Sequence, residues 1–125
     1  MLYGKVNDRP EARVTLRVRR DSQKAVLDLD AVIDTGYTGM LTLSDKLIAD
    51  LGLVPMRFTR TVRLADGSVK MVGAYFVEVL LGAEWEKVLV TPNGTEPLVG
   101  LKLFDKHRLQ IDVVPDGAVE VTTIK

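Results

Sequence analysis

The sequence contains no cysteine, which excludes disulfides, thiolate metal sites and a cysteine nucleophile. His107 is its single histidine, whereas a metal site built on imidazole ligands needs more than one. No apolar run is long enough to span a bilayer, and the opening residues, MLYGKVNDRPEARVTL, show no signal-peptide pattern. Neither sign of charge is in excess, because 17 basic residues balance 17 acidic ones. We therefore expect a cytoplasmic protein with neither nucleic acid nor membrane as a partner.

The length and composition suit one domain, which we predict to span residues 1–125. Hydrophobic residues make up 46% of the chain, enough for a substantial core. The segments 12–20 and 25–34 alternate apolar and polar residues, with Val14, Leu16 and Val18 in the first and Leu27, Leu29, Ala31 and Ile33 in the second. This period of two predicts half-buried strands, joined as a hairpin by the polar turn RRDSQK.

Further along the chain, SDKLIADLGL predicts a helix with Ser44 as its N-cap and Gly52 at its end. Asp66-Gly67 predicts a hairpin with arms over about 58–64 and 69–80, whose polar and cationic residues suit an arm that projects into water: Thr59, Arg60, Thr61, Arg63 and Lys70. EWEKVLVTP predicts a strand, LVGLKLFDKHRL one or two helical turns, and Pro115-Asp116-Gly117 a closing hairpin. The sum is an all-β closed barrel with one or two short helices.

Few residues in this chain can support chemistry. His107 has no nucleophile motif such as G-x-S-x-G to serve, so we interpret it as a polar residue near a helix end. Asp28, Asp30 and Asp34 alternate along one strand, which spaces them about 6–7 Å apart, too far for several to close on one ion. We interpret Asp28 and Asp30 as solvated. Nucleotide-binding glycine motifs are absent, and we predict no metal and no cofactor.

Asp34 is the remaining candidate. Asp, Thr and Gly are turn residues, and Asp34-Thr35-Gly36 can be read as an ordinary turn at the end of a strand. The apolar run Ala31-Val32-Ile33 directly before Asp34 would instead hold its carboxylate rigidly and partly out of water. A carboxylate in that setting is suited to acid/base work.

The segment AVIDTGYTGMLTLSDKLIADLGL resembles the active-site segment of aspartic proteases of the pepsin and retropepsin clan. It is most similar to the short, single-domain retropepsin-like proteins of prokaryotes. The resemblance extends to PLVGLKLFDKHRL, which fits the clan's hydrophobic-hydrophobic-Gly element, and to VRLADGSVKMV, which occupies the place of the clan's flap hairpin. These three elements, in the clan's order, cover most of residues 25–110. The resemblance implies a retropepsin-like closed barrel with a flap.

The resemblance also implies a role for each matching residue. Asp34 would be the catalytic acid/base, Thr35 would hydrogen-bond across a dimer axis, and Gly36 would let backbone approach the carboxylate. Leu98, Val99 and Gly100 would support the loop from beneath, and Ala65, Asp66 and Gly67 would form the flap tip over the substrate. Tyr37 would belong to the substrate-binding residues. It stands where many clan members have a Ser or Ala that can help to hydrogen-bond the carboxylate.

Hydrolysis by this route needs two carboxylates that share one proton, and the chain has a single D-T-G. The sequence therefore predicts an aspartic endopeptidase that acts as a homodimer on peptide or protein substrates, each chain forming half of a two-fold active site. The alternative is a retropepsin-fold module with weak or no activity that binds extended peptides by strand addition. A small structural β-barrel without a site is a third hypothesis.

Overall fold

The structure, a computed structural model, describes residues 2–94 and 96–124, with the side chains at positions 57–60, 62, 70 and 72 outside that description. Its strands are β1 (Leu2–Val6), β2 (Ala12–Arg19), β3 (Leu27–Ile33), β4 (Leu41–Leu43), β5 (Pro55–Arg63), β6 (Val69–Leu81), β7 (Glu84–Pro92), β8 (Leu98–Val99), β9 (His107–Ile111) and β10 (Ala118–Thr123). A helix α1 (Asp45–Leu51) and a 3₁₀ helix (Leu101–Phe104) complete the described elements. Among the described residues, no helix is long and apolar enough to cross a membrane.

The strands form one sheet that closes on itself. Hydrogen-bonded neighbours run in the order β2-β3-β8-β4-β7-β6, and a further pairing of β6 with β2 closes this ring into a barrel. At the closing seam, the Arg19 Nε lies 2.8 Å from Glu78 Oε1, and the guanidinium stacks 3.9 Å from the centroid of the Trp85 ring. Strands β1, β10 and β9 extend the sheet from β2, and β5 pairs with β6 at the other end of the strand order. The predicted all-β closed barrel is confirmed.

The predicted β2–β3 hairpin is confirmed, and its inward residues form much of the core. Val14, Leu16 and Val18 are at most 1% exposed, and Leu29, Ala31 and Ile33 are buried beside them. Leu27 is 40% exposed, so the alternation is wrong at that position, the first residue of β3. The strand β1 was not predicted. Gly4 interrupts its alternation because a Cβ there would overlap the Arg13 carbonyl.

The helix α1 begins and ends at the predicted signals. The Ser44 Oγ accepts a hydrogen bond from the Leu47 N–H at 3.2 Å, and Gly52 adopts a left-handed φ of 67°. Ile48 is buried in the core, with Leu47 and Leu51 packed beside it. After β8, the predicted helical turn is present as the 3₁₀ helix Leu101–Phe104. Lys106 then has a φ of 64°, and His107 opens β9.

Both remaining hairpins are confirmed. The Leu64 N–H donates to the Ser68 carbonyl at 2.8 Å, and Gly67 takes the left-handed φ of 86° that this turn requires. Thr61 and Arg63 are exposed as expected for a projecting arm, while the side chains of Thr59, Arg60 and Lys70 lie outside the described residues. The turn between β9 and β10 closes through a 2.8 Å hydrogen bond from the Gly117 N–H to the Val114 carbonyl.

Strands β3, β8 and β4 lie side by side where β3 ends. Strand β8 runs parallel to β3, with Val32 opposite Leu98 and Ile33 opposite Val99, and antiparallel to β4. Beyond β8, the Gly100 N–H donates to the Met40 carbonyl at 3.0 Å. A Cβ on Gly100 would overlap the Gly39 carbonyl oxygen and lie 2.7 Å from the Tyr37 carbonyl oxygen. The loops after β3 and β8 thus touch at backbone distance.

We expect Gly100→Ala to lower the free energy of unfolding by about 1–3 kcal/mol, because the added methyl group must displace backbone rather than a movable side chain. Urea denaturation measures the change. Gly73→Ala is the matched control, since the contacts of a Cβ there with described residues are ordinary ones of 3.8 Å or more, to Tyr75. Equal stability of the two variants would contradict the close approach at Gly100.

The turn between β5 and β6 contains a carboxylate, Asp66, whose contribution to stability should depend on pH. The pKa of Asp66 lies below its usual value, chiefly because Asp66 Oδ1 accepts a hydrogen bond from the Ser68 hydroxyl, at 2.6 Å, and then because it accepts one from the Ser68 N–H at 2.8 Å. A depressed pKa contributes stability above the unfolded-state pKa, and that contribution is lost as the pH falls through the folded-state pKa. Ser68→Ala should raise the pKa of Asp66 in a carboxyl NMR titration. Ser22→Ala, in the β2–β3 turn, should leave it unchanged, and an unmoved value in Ser68→Ala would refute the assignment.

Candidate active site

Asp34 directly follows β3, and three hydrogen bonds fix it. Its N–H donates to the Val99 carbonyl at 2.9 Å, and its carbonyl accepts from the Tyr37 N–H at 3.1 Å. Its carboxylate Oδ1 accepts from the Gly36 N–H at 3.0 Å. The residue is half-buried and lines a groove. A carboxylate held this way can exchange protons with a molecule that approaches from outside.

Thr35 and Gly36 form the exposed crest of the loop. A Cβ on Gly36 would lie 3.4 Å from Asp34 Oδ1, an ordinary contact, and the backbone of Gly36 does not adopt a left-handed φ. Among the described residues, a methyl group would therefore fit at position 36. The described contacts give no steric reason for glycine at this position.

The Tyr37 side chain turns toward the loop that carries it. A Cβ on Gly39 would overlap the Tyr37 hydroxyl and ring, and a Cβ on Gly100 would lie 2.8 Å from Tyr37 Cδ2. The half-buried ring therefore covers two glycines of the loops after β3 and β8. The Gly36 N–H, rather than a side chain at position 37, supplies the described hydrogen bond to the Asp34 carboxylate.

Leu98, Val99 and Gly100 lie directly beside this loop. The Val32 N–H donates to the Pro97 carbonyl at 3.0 Å, and the Leu101 N–H donates to the Tyr37 carbonyl at 3.3 Å. On the other edge of β8, the Leu98 N–H donates to Thr42 Oγ1 at 3.1 Å. Thr42, which is buried, was not predicted from the sequence. The visible signal was a threonine between the two leucines of the strand Leu41–Leu43. The structure thus brings Asp34, Gly36, Tyr37 and the 98–100 segment together.

The predicted flap residues form a turn that makes no described hydrogen bond to this group. Ala65, Asp66 and Gly67 are exposed at the turn between β5 and β6, and among the described residues no hydrogen bond joins them to the 34–37 loop. Among the described side chains of this hairpin, the exposed apolar ones are Leu64, Val69 and Met71, at 37%, 58% and 68%. The hairpin therefore offers an apolar surface near its tip, as a segment that covers a peptide would.

A groove of about 490 Å³ opens beside Asp34. Its lining residues are Val6, Pro10, Glu11, Ala12, Val32, Ile33, Asp34, Thr35, Leu98, Ile111 and Val113. A larger groove of about 660 Å³, between β7 and the start of β9, includes none of the predicted site residues. Asp34 lines the smaller groove, so this groove is the one relevant to its chemistry.

Other acidic residues near the loop are engaged elsewhere. Asp30, interpreted from sequence as solvated, is 61% exposed at its side chain but lies 2.8 Å from Arg13 Nη2. Asp28 makes a looser pair with Arg17 at 3.6 Å. Within residues 2–94 and 96–124, no group of three or more His, Asp and Glu side chains could hold a metal ion. His107 Nδ1 lies 2.8 Å from the Asp105 carbonyl oxygen.

Comparisons of the sequence and of the structure with known proteins give different results. No protein-family model matches the chain, and no curated protein matches its sequence. A crystal structure of a retropepsin-like aspartic protease from Rickettsia conorii superposes with a TM-score of 0.63, covering 97% of this chain and 88% of that one. The two sequences are 13% identical, so the likeness concerns the fold. This chain has the retropepsin-like fold.

Proposed function

We propose that the chain is an aspartic endopeptidase whose active site is completed by a second copy of itself. The observation that carries the proposal is the position of Asp34 in a retropepsin-like fold. The residue is half-buried and lines a groove, its carboxylate accepts a hydrogen bond from the Gly36 N–H, and it directly follows a strand whose backbone is fixed to β8. The fold alone does not imply an activity, whereas a carboxylate presented in this way supports one.

A second copy is needed because the chain contains a single D-T-G. In a two-fold dimer, the two Asp34 side chains would face each other across the axis. Two carboxylates a few ångströms apart do not both ionise readily, so the pair holds one proton between them. The pair thereby contains both a base and an acid, which is what hydrolysis of a peptide bond near neutral or acid pH requires.

The proposed reaction begins with a water molecule held between the two carboxyl groups. The ionised Asp34 accepts a proton from this water while the water oxygen attacks the peptide carbonyl carbon, and the protonated Asp34 donates to the carbonyl oxygen. The gem-diol that results then loses its C–N bond. The first carboxyl gives its proton to the departing nitrogen, and a gem-diol hydroxyl returns one to the second, so the pair again holds a single proton.

The neighbouring residues would support this chemistry without taking part in it. The exposed Thr35 would hydrogen-bond across the axis, and Gly36 would let the partner or the substrate approach the carboxylate at backbone distance. Leu98, Val99 and Gly100 would hold the loop in place. The turn at Ala65, Asp66 and Gly67 would close over the bound peptide and exclude water. Tyr37 would help to hold the loop after β3, which its ring covers.

Exposed apolar residues near the loop favour self-association. Leu101 is 47% exposed and follows Gly100, while Val113, 70% exposed, lines the same groove as Asp34, with Val114 next to it at 57%. A dimer that joins two Asp34 residues would cover such a surface. We also propose that residues 1–125 are one catalytic domain and that the dimer acts in the cytoplasm, because a chain without cysteine suits a reducing compartment.

Asp34→Asn should abolish cleavage of a peptide mixture while leaving the fold intact. We expect a loss of at least about 10²–10⁴-fold, because neither proton transfer can proceed through an amide. Cleavage is measured across acid to neutral pH by mass spectrometry. Asp28→Asn, on the same strand but solvent-exposed, is the matched control and should keep full activity. Equal cleavage by Asp34→Asn would exclude Asp34 as the catalyst, and binding of extended peptides without any cleavage by the wild type would favour the inactive module.

Adding inactive chain to a fixed amount of wild type tests whether the dyad is shared. With an equal amount of Asp34→Asn and free exchange of partners, half of the wild-type chains would occupy mixed dimers, so activity should fall to about one half. Adding Asp28→Asn instead should increase activity. Sedimentation should give a mass of about twice 13.8 kDa for the wild type. Unchanged activity in the mixture, or a strict monomer at high concentration, would contradict the shared dyad.

A further inference from the structure

Strand β8 holds the candidate catalytic loop although it is only two residues long. Its parallel pairing with β3 covers Val32 opposite Leu98 and Ile33 opposite Val99. Parallel pairs are slightly weaker per residue than antiparallel ones, and two residues make few ladder hydrogen bonds. The Pro97 and Val99 carbonyls nevertheless receive the N–H groups of Val32 and Asp34. The pairing of β8 with β4 and the Leu98–Thr42 hydrogen bond hold the other edge of this segment. At the start of the segment, a side chain of β2 adds a further link to β3.

The Arg13 side chain lies at the start of this parallel pair. Its Nη1 is 2.6 Å from Glu96 Oε1, and its Nε and Nη2 are 2.9 and 2.8 Å from Asp30 Oδ2. Asp30 belongs to β3, and Glu96 directly precedes Pro97, whose carbonyl accepts the Val32 N–H. One guanidinium on β2 therefore joins the two strands whose far ends carry Asp34 and Gly100.

The contacts of Arg13 form a network rather than a single exposed pair. Glu11 Oε1 lies 3.3 Å from Arg13 Nη1, and Glu11 is itself fixed by a 2.8 Å hydrogen bond from Asn7 Nδ2. The Arg13 side chain is 21% exposed, whereas that of Glu96 is 44% exposed. Isolated exposed ion pairs contribute little, but a partly buried guanidinium that engages three carboxylates at fixed geometry constrains their positions.

We propose that Arg13, acting through Glu96, is a positioning residue for Asp34. It fixes the segment 96–99 against β3, and the Val99 carbonyl in turn fixes the Asp34 backbone. This inference rests on the proposed function for its catalytic consequence, but its structural part concerns the backbone of Asp34 alone. Arg13 itself makes none of the described contacts to the Asp34 side chain, so its effect passes through the backbone.

The decisive variants are Glu96→Gln and Arg13→Met, with Arg17→Met as the matched control. Arg17 lies on the same strand and pairs across the same hairpin with Asp28, at 3.6 Å, with both side chains more than 60% exposed. Amide hydrogen exchange at Asp34 and Val32 should be about tenfold faster in Glu96→Gln than in the control, because charge-assisted hydrogen bonds at the 96–99 segment are weakened. Glu96→Gln should also have little further effect in the Arg13→Met background.

Activity separates positioning from plain support. In Glu96→Gln we expect kcat to fall about tenfold with KM nearly unchanged, since a misplaced carboxylate affects the chemical step rather than peptide binding. Exchange at Asp34 no faster than in Arg17→Met would overturn the inference, and so would faster exchange with an unchanged kcat. If the wild type cleaves no peptide, the proposed function and the catalytic part of this inference fail together. The exchange rates then still decide whether Arg13 holds the Asp34 backbone.

Discussion

The hydrogen bond from the Asp34 N–H to the Val99 carbonyl is the contact on which the candidate site depends. It joins the end of β3 to a strand of two residues, and the loops that leave both strands then approach at backbone distance around Gly100. Every other feature of the site follows from this junction. The Gly36 N–H can reach the Asp34 carboxylate because the backbone of Asp34 is fixed first, and the Tyr37 ring can cover Gly39 and Gly100 because the two loops are adjacent.

Local signals in the sequence predicted the elements whose stability is local. Ser44 and Gly52 mark the ends of α1 through contacts within a few residues, and Asp66-Gly67 marks a turn that its own hydrogen bonds close. The alternation in β2 and β3 predicted their buried face, except at Leu27. The helical turn predicted after β8 is present as the 3₁₀ helix, whereas the left-handed Lys106 that follows it was not predicted, because no glycine marks that position.

What the sequence did not predict depends on residues far apart along the chain. The strand β1 pairs with β10 and β2, and its apolar pattern is interrupted by Gly4, whose reason is the approach of Arg13. Thr42 and Leu98 form a hydrogen bond across 56 positions, and Arg13 and Glu96 an ion pair across 83. No periodicity or local motif encodes such partners. The resemblance supplied the order of the elements, and the fold supplied their contacts.

The strand β6 has a mechanical consequence for the hairpin that would cover a substrate. It runs without interruption from Val69, beside the turn, to Leu81, and it pairs with β2 at Val79, so one strand of about 40 Å joins the exposed tip to the seam that closes the barrel. The chain therefore provides no loop hinge at the base of this arm. Its partner β5 shifts register between Pro55 and Thr59, opposite the stretch from Gly73 to Tyr75. Bending of the hairpin would therefore concentrate at that irregularity. The bend would lie within the sheet, between the exposed tip and the seam at Arg19 and Glu78.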